Sequence, residues 1–171
     1  FQVARILAGN TVLENLTIAI EARQRNAGAR SAWLRLAPAP EIVTEARELA
    51  RRIALGAKLD QLASFLSHGD RKRLELGVTL ALRPSVLMMD EPTAGMSPSD
   101  RSDIVQVIKN LRNEEKLTII LTEHDMDVVT SLSDRVMVMN YGETIAIGNM
   151  EEVRSNPSVR EIYLGDEVLH A

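Results

Sequence analysis

Cysteine is absent from this 171-residue chain, so neither a disulfide nor a thiolate metal site can form, a usage that suits a reducing cytosolic setting. Aromatic residues make up 3% and the net charge is −4. The chain therefore lacks both the stacking platforms and the positive field that draw nucleic acid, and no nucleic-acid partner is expected. No apolar run approaches the roughly 18 residues of a membrane span, and the first residues lack the basic-then-apolar layout of a signal peptide. A role at a membrane would have to be by docking. An initiating methionine is also missing: the chain opens at Phe1, and its first residues read as the middle of something longer.

What is present is ordinary for a globular protein, 45% hydrophobic and 26% charged. That is enough for one domain with a real core or for two small lobes sharing an interface. There is no internal repeat. After a Gly9-Asn10 turn, Thr11 and Glu14 have capping-box spacing, which predicts a helix with Val12, Leu13, Leu16 and Ala19 or Ile20 as its apolar stripe. Residues 23–40 break the pattern and read as a loop with a solvated basic surface. A second helix is expected over 41–55, with Ile42, Ala46, Leu49, Ala50 and Ile53 inward and Gly56 at its C′ position. A third begins near Ser67-Gly69-Asp70, buries Leu74, Gly77, Val78 and Ala81, and ends at Arg83-Pro84. The apolar runs 85–89 and 117–121 read as strands buried on both faces. Between them Ser97 and Pro98 open a helix whose core stripe is Ile104, Val107, Ile108 and Leu111. A short helix with Val128, Val129 and Leu132 follows, then a hairpin in which 135–140 and 144–147 flank Tyr141-Gly142-Glu143. The last helical segments start at Asn149 and after Pro157. Helices first, then strand-helix-strand-helix-strand-strand, is the order of an α/β core preceded by a helical lobe.

The chemistry is concentrated in residues 66–100. Strand-helix-strand connections bring successive strand ends to one edge of a sheet, where ligands of open α/β folds sit. Asp90 and Glu91 end one strand and His124 lies just past the next, so the three are expected to converge. A strand-terminal Asp can hold hydrated Mg²⁺, a neighbouring Glu can orient or deprotonate a water for in-line attack on a phosphoryl group, and an imidazole can bond the terminal phosphate. Taken alone, the same pair reads equally well as solvated acids before a Pro turn. The Ser67-His68-Gly69-Asp70 turn ahead of a helix can expose N–H groups to a phosphate, although a capped helix start is the commoner meaning.

In their order, these stretches resemble the ATPases of ABC transporters. LSHGD resembles the signature loop, VLMMDEP the Walker B strand with its catalytic Glu91, AGMSP the D-loop with Ser97 where many members have Asp, and LTEHD the segment of the switch His124. Gln2 is similar in position to the Q-loop glutamine, which in the family touches Mg²⁺ and relays to the transport partner. The resemblance runs from the first residues to the tail. It implies a P-loop NTPase core of the ABC type with a mostly parallel sheet, an inserted helical subdomain and a C-terminal hairpin and helices. Residues 1–11 would be the Q-loop remnant, 12–83 the helical signature subdomain, 84–148 part of the ATPase core and 149–171 a helical tail. It also implies ATP and Mg²⁺ as cofactors. Glu91 and His124 would be catalytic, Asp90 and Gln2 would lie at the metal, and Gln2, Ser67, His68, Gly69, Asp70 and Ser97 would lie at nucleotide.

Two departures stand out. His68 and Asp70 replace the second glycine and the glutamine common in the signature, and an acid there would oppose phosphate unless it caps the helix or points away. No G-x-x-x-x-G-K-[ST] occurs in the chain, so the resemblance is to the C-terminal part of a nucleotide-binding subunit, inactive by itself. The implied partners are a second ATP-binding subunit, homo- or heterodimeric, transmembrane permease subunits and, indirectly, a periplasmic substrate-binding protein, with the chain peripheral on the cytoplasmic side of the membrane. DEPTAGMSP, TEHDM, MNYGETIAIG and NPSVREIYLG are most similar to importers of branched-chain amino acids, with the urea/amide group close by and LSHGD tilting towards it. A lipopolysaccharide-export ATPase, with a similar tail, and a non-transport ABC ATPase acting on DNA or ribosomes are the alternatives.

Overall fold

The computed structural model describes residues 6–26, 37–114 and 117–164; Gln2, Trp33 and the tail beyond Leu164 lie outside the described residues. The chain falls into two compact units, Phe1–Glu123 and His124–Ala171, each treated below on its own. Among the described residues no helix is long and apolar enough to cross a membrane.

The first unit opens with α1 (Val12–Asn26). Its start is a full capping box: Thr11 N–H donates to Glu14 Oε2 at 2.7 Å and Glu14 N–H to Thr11 Oγ1 at 3.2 Å. Two further first-turn donors, Val12 and Leu13 N–H, find the carbonyls of Gln61 and Leu59, so the orphan groups of this helix end are met by a distant part of the chain. Asn15, 4% exposed, ties down the preceding segment. Its Oδ1 accepts from Leu7 N–H at 2.7 Å, and its Nδ2 donates to the carbonyls of Leu7, Asn10 and Thr11. Asn15 carries no apolar signal, and its role is invisible to periodicity.

The helix α2 (Pro40–Arg52) buries Ile42, Ala46, Leu49 and Ala50, and the capping residue Ile53 is buried too, the stripe the spacing predicts. Its end differs from expectation. Ala54, not Gly56, takes the left-handed conformation (φ 57°). Leu55 N–H reaches Ala50 O at 2.8 Å and Ala54 N–H reaches Arg51 O at 3.0 Å. These are the paired bonds of a Schellman motif, and burial of the residue after the turn, Leu55, accompanies them. Gly56 instead begins a 3₁₀ turn, Gly56–Lys58. The basic stretch from 23 onward also needs correction at its start. α1 continues to Asn26, and Arg23 is no solvated charge. Its guanidinium grips Glu45 through two bonds of 2.9 and 2.8 Å and donates to Ala81 O at 2.7 Å. Arg83 adds a third bond to Glu45. The Arg23 hydrogen bonds outweigh burial and, with Arg83, hold the Glu45 carboxyl below its usual range.

Helix α3 (His68–Ala81) packs against α1 and α2. Gly77 permits the approach to α1, since a Cβ there would stand 3.0 Å from Leu16 Cδ2 and 2.5 Å from Ile53 Cδ1. Leu74, Gly77 and Ala81 are buried as predicted, whereas Val78 is half-buried and Leu76 and Leu80 are buried instead. After Arg83 (φ 53°) comes β1 (Val86–Asp90), then α4 (Pro98–Glu114) and β2 (Thr118–Thr122). The two strands pair in parallel, Val86 opposite Thr118 and Asp90 opposite Thr122, which is the expected strand-helix-strand unit. Burial on both faces is not observed. Accessibility alternates along both strands, with Val86, Met88 and Ile120 about half exposed. Among the described residues each strand has only the other as sheet neighbour, and the pleat sends alternate side chains to opposite faces. The apolar stripe of α4, Ile104, Val107, Ile108 and Leu111, is buried as expected.

The second unit begins with α5 (Met126–Leu132), continues through the antiparallel pair β3 (Val136–Asn140) and β4 (Glu143–Gly148), and ends in α6 (Met150–Ser155) and α7 (Pro157–Leu164). The hairpin is present as expected, but its turn is the two residues Tyr141 and Gly142, at φ 45° and 84°, because Glu143 already pairs with Asn140 in β4; Gly142 meets the left-handed requirement without a Cβ penalty. Asn149 and Glu152 form the predicted capping box.

Replacing Asn15 by Ala should leave the Leu7 N–H without its partner, although Leu7 O keeps the Asn10 N–H, and cost about 1–3 kcal/mol of unfolding free energy. Urea denaturation of the variant against the parent chain measures this, and an unchanged midpoint would contradict the bridging role.

Candidate functional site

The turn at residues 67–70 is built as an N-terminal cap. Ser67 Oγ accepts from Asp70 N–H at 3.1 Å, while Ser67 and His68 are exposed and Gly69 is buried. Gly69 is required by close approach: an added Cβ would lie 2.6 Å from Asp100 Cγ and Oδ1. The imidazole of His68 lies beside Gly95, with Nε2 3.7 Å from where a Cβ on that glycine would be. Thus the structure brings the 67–70 turn against residues 95–100, including Ser97. Ser97 Oγ accepts from Asp100 N–H at 3.2 Å and donates to Asp100 Oδ2 at 2.9 Å, capping α4 as its position predicts.

Asp70 turns away from that surface. It is 2% exposed; Oδ2 is bound by Lys58 and Oδ1 by Arg73 at 2.5 Å. Arg73, itself buried, also reaches Asp103 on α4 at 2.9 Å. Burial works to raise the Asp70 carboxyl, but hydrogen bonds from Lys58, Arg73 and Ser67 overcome it and hold the group below its ordinary value. Burial likewise works to lower Arg73, and the bonds to Asp70 and Asp103 reverse it. An acid in the turn is thus neutralised from beneath, and its side chain is engaged with protein rather than offered to a ligand. The i, i+3 spacing of Asp70 and Arg73 was a readable signal for this pairing; Lys58 and Asp103 gave none.

Asp90 and Glu91 sit exposed at the end of β1. The parallel register sets Thr122 opposite Asp90, and the Thr122 hydroxyl donates to Asp90 Oδ1. Glu91 has φ 43°; its N–H donates to Thr122 O at 3.0 Å and Thr122 Oγ1 at 3.3 Å. Two residues further, the hydroxyl and the N–H of Thr93 both donate to Glu123 Oε1, at 2.6 and 3.1 Å. Thr122, Thr93 and Glu123 escape a reading of the sequence because their roles depend on strand register, which neither apolar run reveals. His124, the first residue of the second unit, is exposed and directly precedes Asp125. The Asp125 carboxylate caps α5 by accepting from the N–H groups of Asp127 and Val128 at 3.0 and 3.3 Å. Among the described residues no group of three or more His, Cys, Asp or Glu forms a ready-made metal cage. The oxygen donor at Asp90 instead suits a cation that keeps most of its water, as Mg²⁺ does.

The capped turn at 67–70 and the acid pair at the end of β1 are the stretches on which the sequence resembles ATP-binding cassettes. The ABC transporter family profile matches residues 1–94, and the chain belongs to that family. A second profile, described as the branched-chain amino acid ATP-binding cassette transporter, matches residues 143–168.

Among curated proteins, the high-affinity branched-chain amino acid transport ATP-binding protein LivG of Salmonella typhimurium is 38% identical over 97% of this chain and 66% of its own length. The corresponding protein BraF of Pseudomonas aeruginosa is 35% identical over the same shares, so the chain spans 66% of the length of these relatives. The methionine import ATP-binding protein MetN of Caulobacter vibrioides is 33% identical over 92% of this chain and 44% of its own. Among solved structures, an ATP-binding cassette of an ABC transporter in its ADP conformation matches with a TM-score of 0.74 and 34% identity, over 93% of this chain and 64% of that one. A nucleotide-free ATP-binding cassette matches at 0.74 and 31%, over 95% and 66%. These matches agree with the α/β cassette architecture the motifs imply.

The Asp70 pairing has a signed pH consequence. A carboxyl whose folded-state value is depressed contributes stability above its unfolded value and loses it as the pH falls through the folded value. Asp70→Asn should destabilise the chain at neutral pH, towards the lower end of about 3–5 kcal/mol because Arg73 keeps Asp103. The deficit should shrink below about pH 4, where aspartate protonates in the unfolded chain. Unfolding free energies measured against pH for both forms test this; curves that stay parallel through the acid range would refute the assignment.

Proposed function

We propose that this segment supplies one edge of each of two nucleotide sites in an ATP-hydrolysing ABC subunit, and that the complete subunit powers import of branched-chain amino acids. The observation carrying the proposal is the 38% identity to LivG across 97% of the chain. The match of residues 143–168 to the branched-chain profile supports it. Asp90, with one oxygen held by Thr122, serves to hold hydrated Mg²⁺. Bound Mg²⁺ would neutralise charge on the phosphates. Glu91, exposed beside it, orients and deprotonates the attacking water, and His124 hydrogen-bonds the terminal phosphate. By the family resemblance Gln2, outside the described residues, would serve the same cation and relay to the permease.

Ser67, His68 and the N–H groups at Gly69 face the nucleotide of a second ATP-binding subunit, with Ser97 on the adjoining loop. This places two ATP molecules between two subunits related by twofold symmetry. Asp70, engaged with Lys58 and Arg73, shapes that turn from beneath rather than touching nucleotide. The subunit works on the cytoplasmic side of the membrane against transmembrane permease subunits, which receive substrate from a periplasmic binding protein. No phosphate-cradling G-x-x-x-x-G-K-[ST] loop occurs in these 171 residues.

Reconstitution of the complete subunit with its permease and binding protein in proteoliposomes should give ATP-dependent leucine uptake. Glu91→Gln should lower ATP turnover by roughly 10²–10⁴-fold, the range of a lost general base. Uptake of urea or methionine in place of leucine would overturn the substrate assignment, and turnover unchanged by Glu91→Gln would overturn the catalytic one. Residues 1–171 alone should show no Mg²⁺-dependent ATP hydrolysis above background, and turnover abolished by Glu91→Gln in that segment would refute the division of labour.

A further inference from the structure

Glu91 occupies a backbone region that a side chain with a Cβ rarely adopts, at φ 43°. Such a conformation persists only where surrounding bonds over-determine it. One anchor lies before it: Glu91 N–H is held by the carbonyl and hydroxyl of Thr122. The other lies after it. Pro92, whose ring fixes its own φ, connects Glu91 to Thr93, which is 3% exposed. A single carboxylate oxygen, Glu123 Oε1, accepts both the N–H and the hydroxyl of Thr93. Two donors of one residue on one acceptor fix its rotation as well as its place, and the rigid proline passes that restraint back to Glu91. Glu123 Oε2 is buried without a hydrogen-bond partner among the described residues. A carboxylate spent on one neighbour in this way is poorly explained by stability alone, because an unmatched buried oxygen is a cost.

We propose that Glu123 is a positioning residue for ATP hydrolysis: through Thr93 and Pro92 it holds the backbone of Glu91 so that its carboxylate meets the attacking water. The proposal rests on the reading of Glu91 as the catalytic base. Glu123 itself contacts neither nucleotide nor water in this scheme. What it supplies is an acceptor, so glutamine, which keeps a carbonyl oxygen at the same reach, should substitute for it and alanine should not.

The experiment uses the complete subunit with its permease and compares Glu123→Ala, Glu123→Gln, Thr93→Val and the double variant Glu123→Ala/Thr93→Val. ATP turnover, ATP affinity and hydrogen exchange at the Thr93 amide are measured for each. Glu123→Ala should lower kcat about 10- to 100-fold, the scale expected when a reacting group is misplaced by about an ångström, with ATP affinity within about twofold. Glu123→Gln should stay within about threefold of the parent, and the double variant should fall no further than the worse single one, as expected of residues acting through one contact. The Thr93 amide should exchange faster in Glu123→Ala and stay protected in Glu123→Gln. Faster amide exchange with unchanged kcat would show a contact with no positioning role and overturn the proposal. Equal loss in Glu123→Gln and Glu123→Ala, or multiplying losses in the double variant, would overturn it too. Turnover unchanged by Glu91→Gln while the Thr93 amide remains protected would instead refute the underlying assignment of Glu91, and the proposal with it.

Discussion

The buried carboxylate of Asp70 is the constraint around which the first unit is arranged. With its side chain withdrawn from water, it needs cations, and it takes one from each of two places: Lys58 on the 3₁₀ turn after α2 and Arg73 one turn along α3. Arg73 passes the link to Asp103 on α4. Three separate pieces of chain are thereby referred to one group. Buried ion pairs contribute little net stability compared with good apolar packing, since desolvation offsets most of the attraction. Their strength is geometric, because a misregistered α3 would strand a charge. The turn at 67–70 and the start of α4 can accordingly sit close enough that Gly69 has no room for a Cβ against Asp100.

The acids of the first unit divide by what they face. Asp70 gives both oxygens and Glu123 one oxygen to the protein's own donors, whereas Asp90 and Glu91 are exposed at a strand end, where Thr122 meets the Asp90 carboxylate and the Glu91 N–H. That division separates acids committed to the scaffold from acids exposed at its edge more clearly than residue type does. It also explains how an acid can stand in the 67–70 turn at all, since its charge is met by Lys58 and Arg73.

Motifs and apolar spacing made much of this legible. The capping boxes at Thr11 and Asn149, the stripes of α2 and α4 and the hairpin at Tyr141-Gly142 follow from local rules that hold whatever the rest of the chain does. The misreadings share a cause in long-range structure. An apolar run says that a strand exists but not how many neighbours it has, so the half-exposed faces of β1 and β2 could not be foreseen. Arg23 looked solvated because its partners, Glu45 and Ala81, lie 22 and 58 residues away. Gly56 looked like a helix stop because glycine tolerates positive φ, yet Ala54 takes it, the paired bonds and the burial of Leu55 accompanying that turn. Thr122 and Glu123 give no local signal for the same reason: only the register of β2 against β1 shows that Thr122 meets Asp90 and Glu91 and that Glu123 meets Thr93.

The clamp of Arg23 on Glu45 and on the last turn of α3 has a bearing on how the chain reaches this structure. The bond to Ala81 closes a loop of 58 residues, and the entropy of closing a loop is paid before its contact returns anything. Neighbouring helices can form in any order, but this contact can lock only after all three are in place. The clamp is therefore complete only with all three helices in place, and it fastens α1 to the end of α3 where the chain turns towards β1.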